Sequence, residues 1–226
     1  WRSMFGGQMS VPLVVRAVIG RSWGQGAQHS QSIQSLFMHV PGIKVVMPTT
    51  AADAQGLLTA AIADPNPVLM IEHRLLYDIE GEVPETPVAM PFGKAIVRRE
   101  GRDLTIVANS YMAAESLKAA QFLEKHGIQA EVVDPVSLVP LDEKTIIDSV
   151  KKTGKLIVVD TSWVTCGVSA EIAAIVADKA FEFLTHPIKR LGMAPVVCPV
   201  SKPLEDAFYP SARTIATEAF KLLGRK

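Results

Sequence analysis

The stretch IKVVMPTTAADAQGLLTAAIADPNPVLMIEH, residues 43–73, contains a complete strand–helix–strand pattern. A β-branched run stopped by Pro48 precedes the helical segment, and a second apolar run follows it at 68–73. Thr50 is placed to cap the helix, with Asp53 three residues further on as in a capping box. The predicted apolar stripe of the helix consists of Leu57, Leu58, Ala61 and Ile62. Apolar strands joined by a helix favour a parallel sheet.

The same alternation extends in both directions from this stretch. Upstream, VPLVVRAVI at 11–19 is nearly continuously apolar, as in a strand covered on both faces. Residues 74–92 instead carry scattered glutamates and prolines and indicate an extended linker. We therefore predict an α/β fold of mostly parallel sheets with helices on both faces. The predicted parts are 1–90 and 91–226.

Beyond the linker, strands and helices alternate to the end of the chain. The segment KAIVRREGRDLTIVANS, residues 94–110, predicts a β-hairpin that turns at Glu100-Gly101. Helices are predicted in the segments that contain MAAESLKAAQFLEKHG, LDEKTIIDSVKKTG, GVSAEIAAIVADKAFEFL and ARTIATEAFKLLG.

The composition excludes several classes of function. Lys+Arg and Asp+Glu both number 23, so no net charge attracts nucleic acid or an anionic membrane. No apolar run approaches the length of a membrane span. Cys166 and Cys198 form no C-x-x-C pair, which fits a reducing compartment.

The segment GQGAQHSQS, residues 24–32, presents the clearest chemical pattern. A dinucleotide fingerprint would need a third glycine where His29 stands, and an acidic residue after the next strand. That strand ends in Met47-Pro48, so the pattern does not favour a nucleotide cofactor.

His29 then lies between a buried strand and a predicted helix start, the sheet edge at which ligands bind. A helix N-terminus disfavours imidazolium, so we expect His29 to be neutral near pH 7 and able to exchange a proton. Gly24 and Gly26 would let a substrate approach the backbone closely. A polar capping histidine bonded to a carbonyl is the open alternative.

Two further stretches carry polar groups at strand or helix ends. Glu72-His73-Arg74 brings together an acid, a titrating base and an anion binder that could face a carboxylate substrate. Ordinary surface ion pairs are the alternative for this run. The turn ADPNPV, 63–68, exposes carbonyl groups that could ligate a hard monovalent cation.

Several stretches together resemble the beta subunit of thiamine-diphosphate-dependent 2-oxo acid dehydrogenases, in the transketolase-like superfamily. They are VPLVVRAVIG, GQGAQHSQS, HVPGIKVVMPTTAADAQGLL, AIADPNPVLMIEH, VSLVPLD, GVSAEIAA and PLEDAFYP. The resemblance implies the back part of a pyrimidine-binding domain up to about residue 85, followed by a transketolase C-terminal domain. With the opening WRSMFGG, it also predicts that the chain begins inside the first domain. The family's catalytic glutamate would then precede Trp1, and the diphosphate motif would belong to the alpha subunit.

The resemblance also implies the site residues. His29 matches the active-site histidine that assists acyl transfer to lipoamide after oxidative decarboxylation of a 2-oxo acid. The residue chemistry, apart from the resemblance, predicts an active-site edge that consists of Gln28, Ser30, Glu72, His73 and Arg74. The positions whose backbone carbonyls would hold potassium are Leu13, Ala61, Ile62, Asp64 and Asn66.

The implied cofactor is thiamine diphosphate with magnesium, shared with an alpha subunit, with potassium as a structural ion. The implied assembly is a heterotetramer with a second beta subunit, able to dock a dihydrolipoyl acyltransferase core. The implied compartment is the cytoplasm, or the mitochondrial matrix in a eukaryote. No nucleic acid or membrane partner is expected.

Departures from the family pattern leave alternatives open. Val136 stands where the family commonly carries arginine, and positions 73–74 differ from the pyruvate enzymes. Ketol transfer between sugar phosphates is one alternative, with Arg16, Arg21 and Arg74 as the candidate phosphate binders. A catalytically incomplete assembly module is the other.

Overall fold

A computed structural model describes residues 1–21 and 24–225. The strands in these ranges are β1 Val14–Ile19, β2 Lys44–Val46, β3 Val68–His73, β4 Ile96–Arg99, β5 Leu104–Ala108, β6 Ala130–Asp134, β7 Ser137–Val139, β8 Leu156–Trp163 and β9 Lys189–Met193. The helices are α1 Gly26–His29, α2 Gln34–Met38, α3 Ala51–Ala63, α4 Tyr111–Glu124, α5 Glu143–Thr153, α6 Val168–Lys179, α7 Lys202–Phe208 and α8 Ala212–Leu222. Among the described residues, no helix combines the length and apolar character needed to cross a bilayer.

The first sheet has the order β1-β3-β2-β7. Strands β1, β3 and β2 are parallel, and β7 joins β2 antiparallel at the edge. The predicted α/β class with mostly parallel strands is confirmed. Because β7 comes from the later part of the chain, that part completes the sheet of the earlier part, and the division at residue 90 stays a prediction.

Helix α3 begins and packs largely as its sequence predicts. Thr50 and Asp53 form the reciprocal capping box, which satisfies backbone donors of the first turn. Leu57 and Ala61 are buried against β2 and β3. Ile62 is 69 % exposed, so its assignment to the apolar stripe was wrong. It follows Ala61 by about 100° around the helix, which turns it away from the sheet.

The second sheet has the order β4-β6-β5-β8-β9. The predicted hairpin is wrong, because β6 lies between β4 and β5 and pairs with both, antiparallel with β4 and parallel with β5. The turn at Gly101 wraps around the start of β6, where a Cβ on Gly101 would lie 2.1 Å from the Glu131 nitrogen. The Gly101 amide donates to Glu131 Oε2 at 3.2 Å. Contacts with a distant strand therefore decide this topology.

The two sheets share part of one hydrophobic core. Ile19, Leu69 and Ile71 of the first sheet cluster with Val107 and Val158 of the second. Between the sheets, residues 77–95 run without helix or strand after a short turn at Arg74–Leu76, as the predicted linker requires.

Candidate functional site

His29 lies on a short loop-like segment between β1 and α2. It is the last residue of the four-residue helix α1, and its side chain is exposed. Arg74, just after β3, donates from Nη1 to the His29 carbonyl oxygen at 3.1 Å. The expectation that His29 stands at a helix N-terminus was therefore wrong. The exposed imidazole makes no hydrogen bond with another described residue, while the His29 backbone is held by Arg74 at the end of the neighbouring strand.

The glycines before His29 accommodate the C-terminal part of the chain. Gly24 and Gly26 have φ values of +74° and +60°, a region that favours glycine. A Cβ on Gly24 would lie 2.9 Å from the Val200 carbonyl oxygen, and one on Gly26 would lie 2.7 Å from Val200 Cγ2. Val200 therefore fills the space beside these glycines that was expected to admit a substrate.

The residues that flank His29 differ in burial. Gln28 is exposed beside it, whereas Ser30 is 1 % exposed. Tyr209 donates from its hydroxyl to the Ser30 carbonyl oxygen at 3.4 Å. Burial, followed by the contact with Cys198, raises the pKa of Tyr209, so its hydroxyl stays a donor at physiological pH. Consecutive carbonyls are thus held by Arg74 on one side and Tyr209 on the other.

Glu72 is occupied by an ion pair. Arg16 donates from Nε to Oε1 at 2.6 Å and from Nη2 to Oε2 at 2.8 Å, and Tyr77 donates to Oε2 at 2.8 Å. Burial alone would raise the pKa of Glu72, but the bonds from Arg16 and Tyr77 bring it below its usual value. The carboxylate is therefore ionised at neutral pH and already paired, as the ion-pair alternative expects.

His73 is a buried packing residue. Its ring stacks on Tyr111 with centroids 4.7 Å apart, and its Nδ1 accepts from the Leu75 amide at 3.2 Å. A Cβ on Gly20 would lie 2.1 Å from its Nε2, so the ring fills the space beside that glycine. Burial, then the charges of Arg21 and Arg74, lower the pKa of His73 to about 3. Its expected role as a titrating base near neutral pH is therefore wrong.

The run Glu72-His73-Arg74 does not form one surface. Glu72 and His73 line a small cavity of about 190 Å³ with Thr50 and Tyr77, while Arg74 reaches the His29 loop. A larger cleft of about 770 Å³ lies beside Gln31. His29 lines neither of these two cavities.

The five positions matched to potassium ligands meet around one turn. Val11 donates its amide to the Pro65 carbonyl at 2.9 Å, and Val68 donates to the Leu13 carbonyl at 2.8 Å, which places Leu13 beside the turn. Asp64 Oδ1 accepts from the Asn66 backbone and side-chain nitrogens at 2.8 and 2.9 Å. The turn adjoins the end of α3, which carries Ala61 and Ile62. The potassium site at these positions stays a prediction.

Three contacts of the loop escaped sequence reasoning. The contacts of Gln34, Tyr209 and Val200 each join the loop region to residues far away in the sequence. Nothing in the local pattern around any of them indicates its partner. Arg74 was named from the sequence, but for substrate binding rather than for a bond to the His29 carbonyl.

Comparison with known proteins covers nearly the whole chain. The family model described as "Transketolase, pyrimidine binding domain" matches residues 1–80, and "Transketolase, C-terminal domain" matches residues 93–215. The chain is 44 % identical over 224 residues to subunit beta of the acetoin:2,6-dichlorophenolindophenol oxidoreductase of Bacillus subtilis (strain 168). That match covers 99 % of the chain and 66 % of the relative.

A second kind of relative is equally similar. Subunit beta-2 of the mitochondrial pyruvate dehydrogenase E1 component of Oryza sativa subsp. japonica is 44 % identical over 220 residues, which cover 96 % of the chain and 58 % of the relative. The chain thus spans 58 % of the rice relative and 66 % of the Bacillus relative.

A solved structure supports the same relationship. It is described as a split gene transketolase, inactive beta4 tetramer, and it is 26 % identical with a TM-score of 0.74. The match covers 94 % of this chain and 66 % of that one. Because the model of the transketolase C-terminal domain matches more than half of this chain, the chain belongs to that domain family.

Proposed function

We propose that the chain is a beta-type subunit of a thiamine-diphosphate-dependent enzyme that works with an alpha subunit. The observation that carries this proposal is the exposed side chain of His29 on a held backbone. Arg74 binds the His29 carbonyl, and Tyr209 binds the carbonyl of the next residue, Ser30. An imidazole with a fixed backbone and a free side chain suits proton exchange with a bound substrate. The similarity to two kinds of beta subunit supports the assignment.

In our proposal the cofactor would be shared with an alpha subunit. When bound, thiamine diphosphate with magnesium supplies the carbon–carbon bond chemistry, and the protein supplies orientation and proton transfer. We assign no residue of this chain to its diphosphate. His29 would face the reacting end, with Gln28 beside it, and would give or take the proton during acyl transfer.

The substrate is a 2-oxo acid in our proposal, with pyruvate as the simplest case. Acetoin is a second candidate, because relatives from Bacillus subtilis and Cupriavidus necator at 44 % and 45 % identity are named for it. Pyruvate loses carbon dioxide and acetoin loses acetaldehyde, and both leave a two-carbon unit for oxidation and transfer. The acceptor would be lipoamide on an acyltransferase core.

Ketol transfer between sugar phosphates has less support. The arginines proposed for the phosphate already have partners: Arg16 binds Glu72, Arg21 binds Asp206 at 3.2 Å, and Arg74 binds the His29 carbonyl. Releasing Arg16 to bind a phosphate would leave the buried Glu72 carboxylate without its cation, which is costly. The transketolase structure is also less similar, at 26 % identity.

The remaining parts of the assembly belong to the same proposal. We propose a heterotetramer with a second beta subunit and a potassium ion at the turn around Asp64. The rice relative is named as mitochondrial, and we place this protein in a mitochondrial matrix or a bacterial cytoplasm. A higher melting temperature in potassium than in sodium at equal ionic strength would support the ion.

The assay uses the purified protein mixed with an alpha-type partner, thiamine diphosphate and magnesium. Reduction of 2,6-dichlorophenolindophenol is followed with pyruvate, acetoin or a ketose phosphate as substrate. We expect turnover with pyruvate or acetoin that needs both subunits and the cofactor. Turnover of only the ketose phosphate would favour ketol transfer. A stable complex without turnover of any substrate would favour the assembly module.

A further inference from the structure

A buried hydrogen bond ties the His29 loop to the second sheet. Gln34, the first residue of α2, donates from Nε2 to Asp160 Oδ1 at 2.8 Å, across 126 positions of the sequence. Gln34 is 0 % exposed and Asp160 is 1 % exposed. Ser162 donates its hydroxyl to the other carboxylate oxygen. Because both side chains are buried, their hydrogen bond is stronger than one in water, and a polar group left unpaired there would be costly.

The bond lies at a particular place in the second sheet. Strand β5 connects onward through α4 to β6 on one side, and β8 connects through α6 to β9 on the other. In open α/β sheets, ligands bind outside the carboxyl ends of strands at such a switch in direction. Asp160 lies one residue beyond the last β5–β8 pair, Ala108 with Val159. The position where such sheets bind a ligand is thus occupied by Gln34, a side chain of the protein itself.

In the segment from His29 to Gln34, every second residue is buried. Ser30, Ser32 and Gln34 are 1 %, 2 % and 0 % exposed, whereas His29 is exposed. The hydroxyls of Ser30 and Ser32 have no hydrogen-bond partner among the described residues. The side-chain attachment of the segment to the second sheet is therefore made by Gln34.

We propose that Gln34 and Asp160 are positioning residues for His29, fixing its loop against the second sheet. This inference rests on the proposed function for its catalytic consequence, but not for its structural one. Two backbone bonds, from Arg74 and Tyr209, hold the loop near His29, and the Gln34–Asp160 bond fixes its far end. Without it, His29 would sample positions away from its reacting partner.

The electrostatics of Asp160 support the same role. Burial raises the pKa of the Asp160 carboxyl above its usual value, opposed by the bonds from Ser162 and Gln34. Removing Gln34 would leave a buried acceptor with one donor fewer, which favours movement of the loop or entry of water.

The test compares Gln34→Leu, Asp160→Ala and Asp160→Asn with the control Thr49→Val. Thr49 donates to Asp134, the last residue of β6, at 2.5 Å and is 6 % exposed, so the control removes another buried bond without touching the loop. Asp160→Asn keeps an acceptor for the Gln34 amide. Hydrogen exchange is measured at the amides of residues 27–33, and acyl transfer is measured in the complex with the alpha partner.

We expect Gln34→Leu and Asp160→Ala to speed exchange over 27–33 by about tenfold, the scale of one lost hydrogen bond to a charged group. The kcat of acyl transfer should fall about as much, with KM nearly unchanged. Asp160→Asn should retain both properties, and Thr49→Val should leave both near the wild-type values.

Equal exchange in Gln34→Leu and Thr49→Val would overturn the inference, as would faster exchange with unchanged kcat. If the wild-type complex shows no turnover, the proposed function fails, and the exchange data still decide whether Gln34 holds the loop.

Discussion

Two groups of polar bonds in this chain differ in the kind of structure that they hold. The Arg98 cluster consists of Arg98 between Asp53 and Asp134, with Thr49 beside them. The His29 anchor consists of the bonds Arg74–His29, Tyr209–Ser30 and Gln34–Asp160. The first joins regular elements through buried charges, whereas the second fixes a short irregular loop through single bonds. The comparison predicts that the cluster determines stability and the anchor determines activity.

The largest expected effect comes from emptying the Arg98 cluster. Arg98→Met would leave two carboxylates with 3 % and 0 % of their side chains exposed and no cation between them. Removing one partner of a buried charge pair typically costs about 3–5 kcal/mol. We expect a loss of that size in denaturant unfolding, with activity per folded molecule retained. A loss of activity without a loss of stability would break the comparison.

The glycine beside the anchor should affect both properties moderately. Gly26→Ala places a side chain at φ +60°, where a non-glycine residue costs about 1–2 kcal/mol, and brings it against Val200. We expect a stability loss of that order together with slower acyl transfer. The double variant with Val200→Ala should recover the part due to the clash but not the part due to backbone strain. Full recovery would show that the conformation itself is not strained.

Asp134 of the Arg98 cluster should also make the free energy of unfolding depend on pH. Burial raises the pKa of Asp134 to about 6 although the Arg98 charge opposes this shift. The folded state then holds this proton more tightly than the unfolded chain, whose carboxyl titrates near about pH 4. The contribution to stability is therefore present below about pH 4 and is lost as the pH rises through about 6.

The pH dependence of the free energy of unfolding is compared with that of Asp134→Asn, which lacks the titrating group. Between about pH 4 and 6, the free energy of unfolding of the wild type should fall relative to that of the variant, by at most about 1.4 kcal/mol per pH unit. Parallel curves would mean that Asp134 does not titrate in this window.

The smallest effect is expected outside both contacts. Ile62 is 69 % exposed on α3, while Leu57 on the same helix is fully buried. Ile62→Ser should therefore change stability by no more than about 0.5 kcal/mol. Leu57→Ala is the matched comparison, with an expected loss of about 2–5 kcal/mol. Similar losses would mean that Ile62 is covered by a partner in solution.

Local chemistry explains why much of the fold could be predicted from the sequence. The capping box of Thr50 and Asp53 and the apolar runs around α3 each indicate their element from a few neighbouring residues. Sheet partners are different, because the run from Ile96 to Ala108 has the same pattern in a hairpin and on two sides of β6. The contact of Gly101 with the start of β6 selects the observed order, and local periodicity does not contain it.

The candidate site was predictable in its central residue but not in its supports. His29 stands out because a histidine replaces the glycine that a nucleotide loop would need. The bonds from Tyr209 and Gln34 join residues 179 and 126 positions apart, and no spacing rule predicts them. The sequence predicted that His73 is reactive, because it does not reveal that the folded chain buries this ring against Tyr111 and Gly20. Side-chain type alone therefore does not separate a catalytic from a packed histidine.

The most direct measurement is single-turnover acyl transfer by the His29→Ala variant in complex with the alpha partner. The control is His126→Ala, an exposed histidine in the turn that follows α4. We expect His29→Ala to lower the rate about a hundredfold, the scale of a lost general acid or base, with stability unchanged. His126→Ala should be close to the wild type. An unchanged rate in His29→Ala would contradict the assignment of His29 as the catalytic residue of this chain.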